Sequence, residues 1–169
     1  MRDAAAAERE LTSASAAGTA AIGTRLAAVV RAGDVIVLCG PLGAGKTTFV
    51  QGLATGLGVA PPVPSPTFTI VRSHRGRLPL HHADLYRVAA GTEVDDLGLD
   101  ELAADGVLIV EWGERLGSAV GGERLVVEIE PGPGPDDRVI RLRATGPQWT
   151  ARLARLDRPG GVEAPGPTP

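Results

Sequence analysis

Apolar residues recur along this chain with two different periods, and the switches between them mark out its elements. Residues 19–31 carry Ile22, Leu26, Val29 and Val30 at helical spacing, and Gly33-Asp34 stops that helix. Val35-Ile36-Val37-Leu38-Cys39 follows as an unbroken apolar run, which is how a strand buried on both faces of a parallel sheet reads. From 46 to 57 the period returns to helical through Phe49, Val50, Leu53 and Leu57. Pro61, Pro62, Pro64 and Pro66 then forbid helix and mark a loop. That loop leads into Thr67-Phe68-Thr69-Ile70-Val71, expected as a strand. Arg75-Gly76-Arg77 offers a turn into a second strand, Leu78-Pro79-Leu80-His81-His82, which its proline places at a sheet edge. Residues 94–103 read as one or two short acidic helical turns, and residues 106–112 as a buried strand with an acid, Glu111, at its end. Residues 125–129 and 139–142 make a late strand pair across a Pro/Gly/Asp loop. The Ala- and Glu-rich residues 1–10 are expected to be a flexible start, 11–156 the folded domain and the Pro/Gly-rich 157–169 a disordered tail.

Composition narrows the class. At 169 residues with 43% hydrophobic content the chain suits one globular domain with a real core. Its net charge of −3 gives no global reason for tight nonspecific binding to nucleic acid, so any such role is local or indirect. The single cysteine, Cys39, excludes an internal disulfide framework, fits a reducing cytosol and is expected to pack in the core. No apolar stretch approaches the roughly 20 residues that span a bilayer, so the expected location is cytoplasmic, with no membrane contact.

The chemistry begins at the first apolar run. Gly40-Pro41-Leu42-Gly43-Ala44-Gly45-Lys46-Thr47-Thr48 matches the phosphate-loop pattern G-x-x-x-x-G-K-[ST] in full, between a strand and a helix as the motif requires. Lys46 is the only lysine of the chain; every other cationic residue is arginine, so this position calls for a compact ammonium rather than a planar fork. Gly40, Gly43 and Gly45 let successive backbone N–H groups converge on a β-phosphate at the positive end of the helix dipole. Lys46 would bridge the β- and γ-phosphates and Thr47 would ligate Mg²⁺. The chain is therefore expected to bind a nucleoside triphosphate with Mg²⁺; a phosphate loop reads phosphates and not the base, and ATP is what the resemblance below implies. Its predicted fold is a three-layer α/β P-loop NTPase fold with a central mainly parallel sheet and a late antiparallel strand pair.

Such a loop needs an acid near the metal, and two qualify. Glu111 closes the run Val107-Leu108-Ile109-Val110, at the crevice of an open α/β sheet. Asp84 lies in a dense polar and aromatic cluster, His81-His82-Ala83-Asp84-Leu85-Tyr86-Arg87, more typical of a switch segment than of core. Either carboxylate could bind the metal directly or through water. Adjacent His81 and His82 point to opposite faces of a strand and no further His/Cys set completes a zinc site, whereas His82, Asp84 and Tyr86 share a face. Trp112 either shields the metal site or fills the core, with core filling the expected role. Arg72, Arg75 and Arg77 read as a solvated turn.

Four blocks, the phosphate loop, Ser65-Pro66-Thr67-Phe68, His82-Ala83-Asp84-Leu85-Tyr86-Arg87 and Val110-Glu111-Trp112, together resemble the TsaE (YjeE) family of small bacterial P-loop ATPases required for threonylcarbamoyladenosine modification of tRNA. The resemblance implies that Ser65 to Phe68 and His82 to Arg87, with Trp112, are nucleotide-sensing switch segments. It implies that Thr47, Glu111 and Asp84 gather at Mg²⁺, with Lys46, Asp84 and Glu111 in the catalytic cluster. Asp136-Asp137-Arg138 resembles a late family segment, which would bring Arg138 to the nucleotide. It further implies action on a TsaB–TsaD-type complex that modifies the adenosine next to the anticodon, with tRNA met indirectly through that complex and the transfer done elsewhere. No arginine finger is evident in the chain, so isolated hydrolysis is expected to be slow and partner-stimulated. A small-molecule kinase and a nucleotide-gated binding module remain as competing readings.

Overall fold

A computed structural model describes residues 7–156. The elements run β1 (Glu8–Ser13), α1 (Ala16–Leu26), β2 (Val35–Cys39), α2 (Lys46–Gly56), β3 (Val71–His74), β4 (Leu80–Asp84), α3 (Thr92–Asp95), α4 (Leu99–Asp105), β5 (Val107–Glu111), β6 (Arg124–Pro131), β7 (Arg138–Thr145) and α5 (Pro147–Leu156). One seven-stranded sheet joins the strands in the order β1-β7-β6-β2-β5-β4-β3. Its middle, β6-β2-β5-β4, is parallel, and the late pair β6/β7 is antiparallel, as are β1/β7 and β3/β4.

The unbroken apolar runs work because both sheet faces are covered. Ile36 and Leu38 of β2, with Val107 and Ile109 of β5, pack under α1, α2 and α5. Val35, Val37, Leu108 and Val110 point the other way, into a second core closed by α3, α4 and the Leu116 and Val120 segment. Alternation along each strand thus feeds two cores, giving three layers.

Helices α1 and α2 approach so closely that glycine is required at their contact. A Cβ on Gly52 would stand 1.9 Å from the Ala20 carbonyl oxygen, and one on Gly23 2.3 Å from that of Phe49. The Thr24 hydroxyl donates across the same seam to Gly52 O at 2.8 Å. At the sheet end opposite the glycine loop, Arg152 of α5 forms a bidentate pair with Asp34, at 2.5 and 2.8 Å. The same guanidinium stacks 4.0 Å from the Trp149 ring centroid.

Four expectations change. Residues 8–10, assigned to a flexible start, lie in β1, whose backbone pairs with β7 from Glu8↔Arg143 to Ser13↔Arg138. Residues 67–69 form a turn and not a strand, because the Pro66 carbonyl accepts from both Thr69 N and Ile70 N and the left-handed φ of 66° at Ile70 breaks the extended chain. The strand containing His81 and His82 is internal, since Pro79 precedes it and leaves β4 free to pair with β3 and β5. Helix α5 is an element beyond those read from the pattern, although Pro147 at its start and the Trp149/Leu153 spacing are helix signals. The expected tail, 157–169, lies outside the described residues, as do residues 1–6. Among the described residues no helix is long and apolar enough to cross a membrane.

Because the Ala20 carbonyl cannot retreat without moving α1, Gly52→Ala is expected to destabilise the fold by about 1–3 kcal/mol. Urea unfolding should show this as a lower midpoint at unchanged slope; a wild-type midpoint would mean that the helices can separate freely.

Candidate functional site

Strands β2, β4 and β5 end together at one edge of the sheet, and the candidate site lies beyond their C-terminal ends. The chain leaves β2 through the glycine loop, where Gly40, Gly43 and Gly45 have φ of 147°, 77° and 107°, values that L side chains rarely adopt. Helix α2 then starts at Lys46 with Gly45 as its cap, so no side chain occupies the helix's opening amides. Lys46 is 5% exposed. Its ammonium donates to the carbonyls of Gly40 (2.6 Å) and Pro41 (2.9 Å) and lies 4.1 Å from the Trp112 ring centroid. Burial pulls its pKa below the usual lysine range, while the charges of Glu111, Glu114 and Asp84 pull the other way.

The acids face this ammonium from the neighbouring strands. Asp84 and Glu111 are the last residues of β4 and β5 and are register partners across the parallel pair, both buried. Glu111 Oε1 accepts from the Thr47 hydroxyl at 2.9 Å and lies 2.7 Å from His82 Nε2. Asp84 Oδ2 accepts from the Thr67 hydroxyl at 2.8 Å, with Ser65 Oγ at 3.5 Å, and Oδ1 accepts from Tyr86 N at 2.9 Å. The Ser65–Phe68 and His82–Arg87 blocks, far apart in the chain, are thereby tied together at one carboxylate.

A cleft of ≈ 320 Å³ separates the two sides. Gly43, Gly45, Lys46, Thr47 and Thr48 line one wall, with Leu42 at its tip; Ser65, Thr67, Asp84, Tyr86, Glu111 and Trp112 line the other. The structure widens the role expected of Trp112. It is half-buried, packs against the second core and also lines the cleft, where its ring meets Tyr86 at a 40° tilt with centroids 5.1 Å apart, so it is cleft wall as well as core filling. Pro66 is buried behind the wall, whereas Phe68 is 83% exposed, with the Arg87 guanidinium 4.4 Å from its ring centroid. Arg138 is not in the cleft. On the far side of the loop it donates from Nε to Ala44 O at 2.8 Å and, with Asp136, Thr19 and Thr48, borders a second hollow of ≈ 120 Å³. Arg77 of the expected solvated turn instead donates to Ala27 O at 2.7 Å.

Two features carry no signal in the pattern of the chain. Arg115 donates to the carbonyls of Leu85, Tyr86 and Val88, at 3.3, 2.7 and 3.1 Å, pinning the segment that follows Asp84. Ile70 and Trp112 are the non-glycine residues with positive φ among those described; Trp112 lines the cleft, and Ile70 follows Thr67 of the same wall by three residues and packs with Trp112 against the second core.

Chemically, the cleft sets an ammonium and free helix amides, which suit an anion, against a hydroxyl and two carboxylates, which suit a hard cation. Among the described residues no three His, Cys, Asp or Glu side chains gather as a self-sufficient metal site. Thr47, Glu111 and Asp84 offer oxygen donors of the right kind for Mg²⁺, with further ligands left to an anionic partner and water, the way Mg²⁺ binds beside phosphates.

Residues 13–139 match the family model described as threonylcarbamoyl adenosine biosynthesis protein TsaE. The tRNA threonylcarbamoyladenosine biosynthesis protein TsaE of Bacillus subtilis (strain 168) is 44% identical over 142 residues, covering 83% of this chain and 88% of its own. The protein of the same name from Streptomyces coelicolor is 45% identical over 130 residues, 74% of this chain and 88% of its own. The crystal structure of Bacillus subtilis YdiB is similar in fold, with a TM-score of 0.78 and 37% identity, covering 89% of this chain and 95% of that one.

Cys39, half-buried at the end of β2, has its thiol pKa pushed up to about 11 by burial and by the neighbouring Glu114. As the thiolate is the nucleophile, alkylation by iodoacetamide is expected to be slow near pH 8 and to accelerate only as pH rises towards 11. Mass spectrometry against a free-thiol peptide checks this; equal rates at pH 8 would mean an open, unshielded sulfur.

Proposed function

The chain belongs to the TsaE family, and from that premise we propose that it is a Mg²⁺-dependent ATPase that supports threonylcarbamoyladenosine modification of the adenosine next to the tRNA anticodon. The observation that carries the reading is the facing pair of walls: the Lys46 ammonium and the uncapped start of α2 on one, and Glu111, hydrogen-bonded to Thr47 at 2.9 Å, with Asp84 on the other. That is the donor and acceptor set needed by a triphosphate accompanied by a cation.

The loop amides would cradle the β- and γ-phosphates, and Lys46 would exchange the Gly40 and Pro41 carbonyls for phosphate oxygens, neutralising charge that grows in the transition state. Thr47, Glu111 and Asp84 would hold Mg²⁺, which when bound screens the phosphate oxygens and the developing charge. Asp84, held by Thr67 and Tyr86 N, would position the cluster or orient the attacking water. Trp112 and Tyr86, in ring contact on the cleft wall, would flank the bound phosphates. The second hollow, beside Thr48 and Arg138, offers room for the nucleoside end of the ligand.

No arginine lines the cleft among the described residues, and those near its walls are engaged elsewhere: Arg115 with three carbonyls, Arg138 with those of Ala44, Pro135 and Asp137, and Arg87 with the Phe68 ring. This supports slow isolated turnover and stimulation by a TsaB–TsaD-type complex that performs the transfer and meets the tRNA. The net charge of −3 agrees with indirect contact to tRNA, and the setting proposed is cytoplasmic. A second reading, a nucleotide-gated module in which hydrolysis is incidental, draws support from the left-handed backbone of Trp112 in the cleft lining and of Ile70, three residues after Thr67 of that wall.

ATP turnover should be measured for wild type, Lys46→Ala and Glu111→Ala, alone and with the partner complex and tRNA. Each variant is expected to lose about 100- to 1,000-fold in partner-stimulated hydrolysis. Phosphate appearing on a metabolite, without partner stimulation, would replace this reading by a small-molecule kinase. Full tRNA modification by a Glu111→Ala protein that binds ATP without hydrolysing it would favour the gated module.

A further inference from the structure

His82 is fully buried in β4 and is not part of the cleft wall. Its Nε2 lies 2.7 Å from Glu111 Oε1, and its Nδ1 has no hydrogen-bond partner among the described residues. For a neutral imidazole facing a carboxylate, which can only accept, the contact puts the proton on Nε2 and leaves Nδ1 a lone pair with no partner in the core. That unmet acceptor is a standing penalty which a phenylalanine of similar size would not carry. Filling space therefore does not account for an imidazole here; its Nε2–H does.

We propose that His82 is a positioning residue that acts on the Mg²⁺–nucleotide site through Glu111. Oε1 of Glu111 is taken by two donors, His82 Nε2–H and the Thr47 hydroxyl, which fixes the plane of the carboxylate. Oε2 makes no hydrogen bond to the chain among the described residues and is the oxygen left for the cation or its water. Outer groups of this kind orient the ligands that touch a metal, and losing them typically weakens metal affinity by about 10- to 100-fold. Strand β4 thus sets both acids: Asp84 by carrying it, and Glu111 from the side through His82. The proposal rests on the reading of the cleft as a Mg²⁺–ATP site and adds a residue that touches neither ligand.

Two measurements test it. In metal- and nucleotide-free protein, ¹⁵N spectra of the imidazoles, with His82 assigned by its loss in His82→Gln, are expected to show the Nε2–H tautomer; an Nδ1–H tautomer overturns the proposal. In equilibrium binding of a fluorescent ATP analogue, His82→Phe is expected to need about 10- to 100-fold more Mg²⁺ for half-saturation, with affinity in the absence of Mg²⁺ held within about twofold. His82→Gln, whose amide nitrogen reaches the place of Nε2, is expected to stay within about fivefold of wild type, and His82→Asn, which falls short, to behave like the phenylalanine variant. A wild-type Mg²⁺ requirement in His82→Phe, or equal behaviour of the glutamine and asparagine variants, overturns it; that last pair decides alone if the phenylalanine variant does not fold. Lys46→Ala separates the two levels. If it binds the analogue as wild type does, the nucleotide reading fails; if it loses binding while the His82 variants keep the wild-type Mg²⁺ requirement, only the role of His82 fails.

Discussion

One positive and two negative side chains, Lys46, Asp84 and Glu111, are buried at the same end of one sheet, and the rest of the molecule makes that arrangement tolerable. Charges taken out of water are stable only when each is matched by partners held in place. Lys46 has two loop carbonyls and the Trp112 face; Glu111 has Thr47 and His82; Asp84 has Thr67 and the amide of Tyr86. These partners come from β2's loop, α2, β4 and the segments around it, and only a sheet that keeps β2, β4 and β5 in parallel register brings them within reach.

Rigidity is supplied away from the cleft. The glycine-tight seam between α1 and α2 anchors the helix that carries Lys46 and Thr47, and the Asp34–Arg152 pair locks α5 at the far end of the strands. The exposed apolar side chains lie at the other end. Leu42, Phe68 and Tyr86 stand exposed around the opening, beside Ile70 and Trp112 in left-handed backbone. The left-handed backbone at Ile70 and Trp112 is held in place by their packing against the second core.

The glycine loop, its flanking strand and helix, and both acids were legible along the chain because each depends on local rules: φ > 0 needs glycine, a buried parallel strand needs an apolar run, and a carboxylate after such a run lies at its end. The edge position given to His81 and His82 failed for a reason of the same local kind. Proline at 79 removes a donor only at 79, and the strand begins one residue later. The contact of Arg138 with Ala44 O, 94 residues away, follows from no local rule, and Arg115 had no local pattern to betray its grip on the Leu85 to Val88 carbonyls.

What the chain by itself determined was therefore the chemistry offered: a phosphate loop with its one lysine, acids at strand ends, a polar block between them, and two-faced strands that call for three layers. What only the tertiary structure decided was who faces whom. That Glu111 shares one oxygen between Thr47 and a buried His82, that Trp112 lines the cleft as well as packing on the second core, and that residues 8–10 close an edge of the sheet all depend on contacts between distant segments. Periodicity reports which way a side chain points from its own backbone; it holds no information on the partner that another strand, fixed by the packing of the whole sheet, brings opposite it.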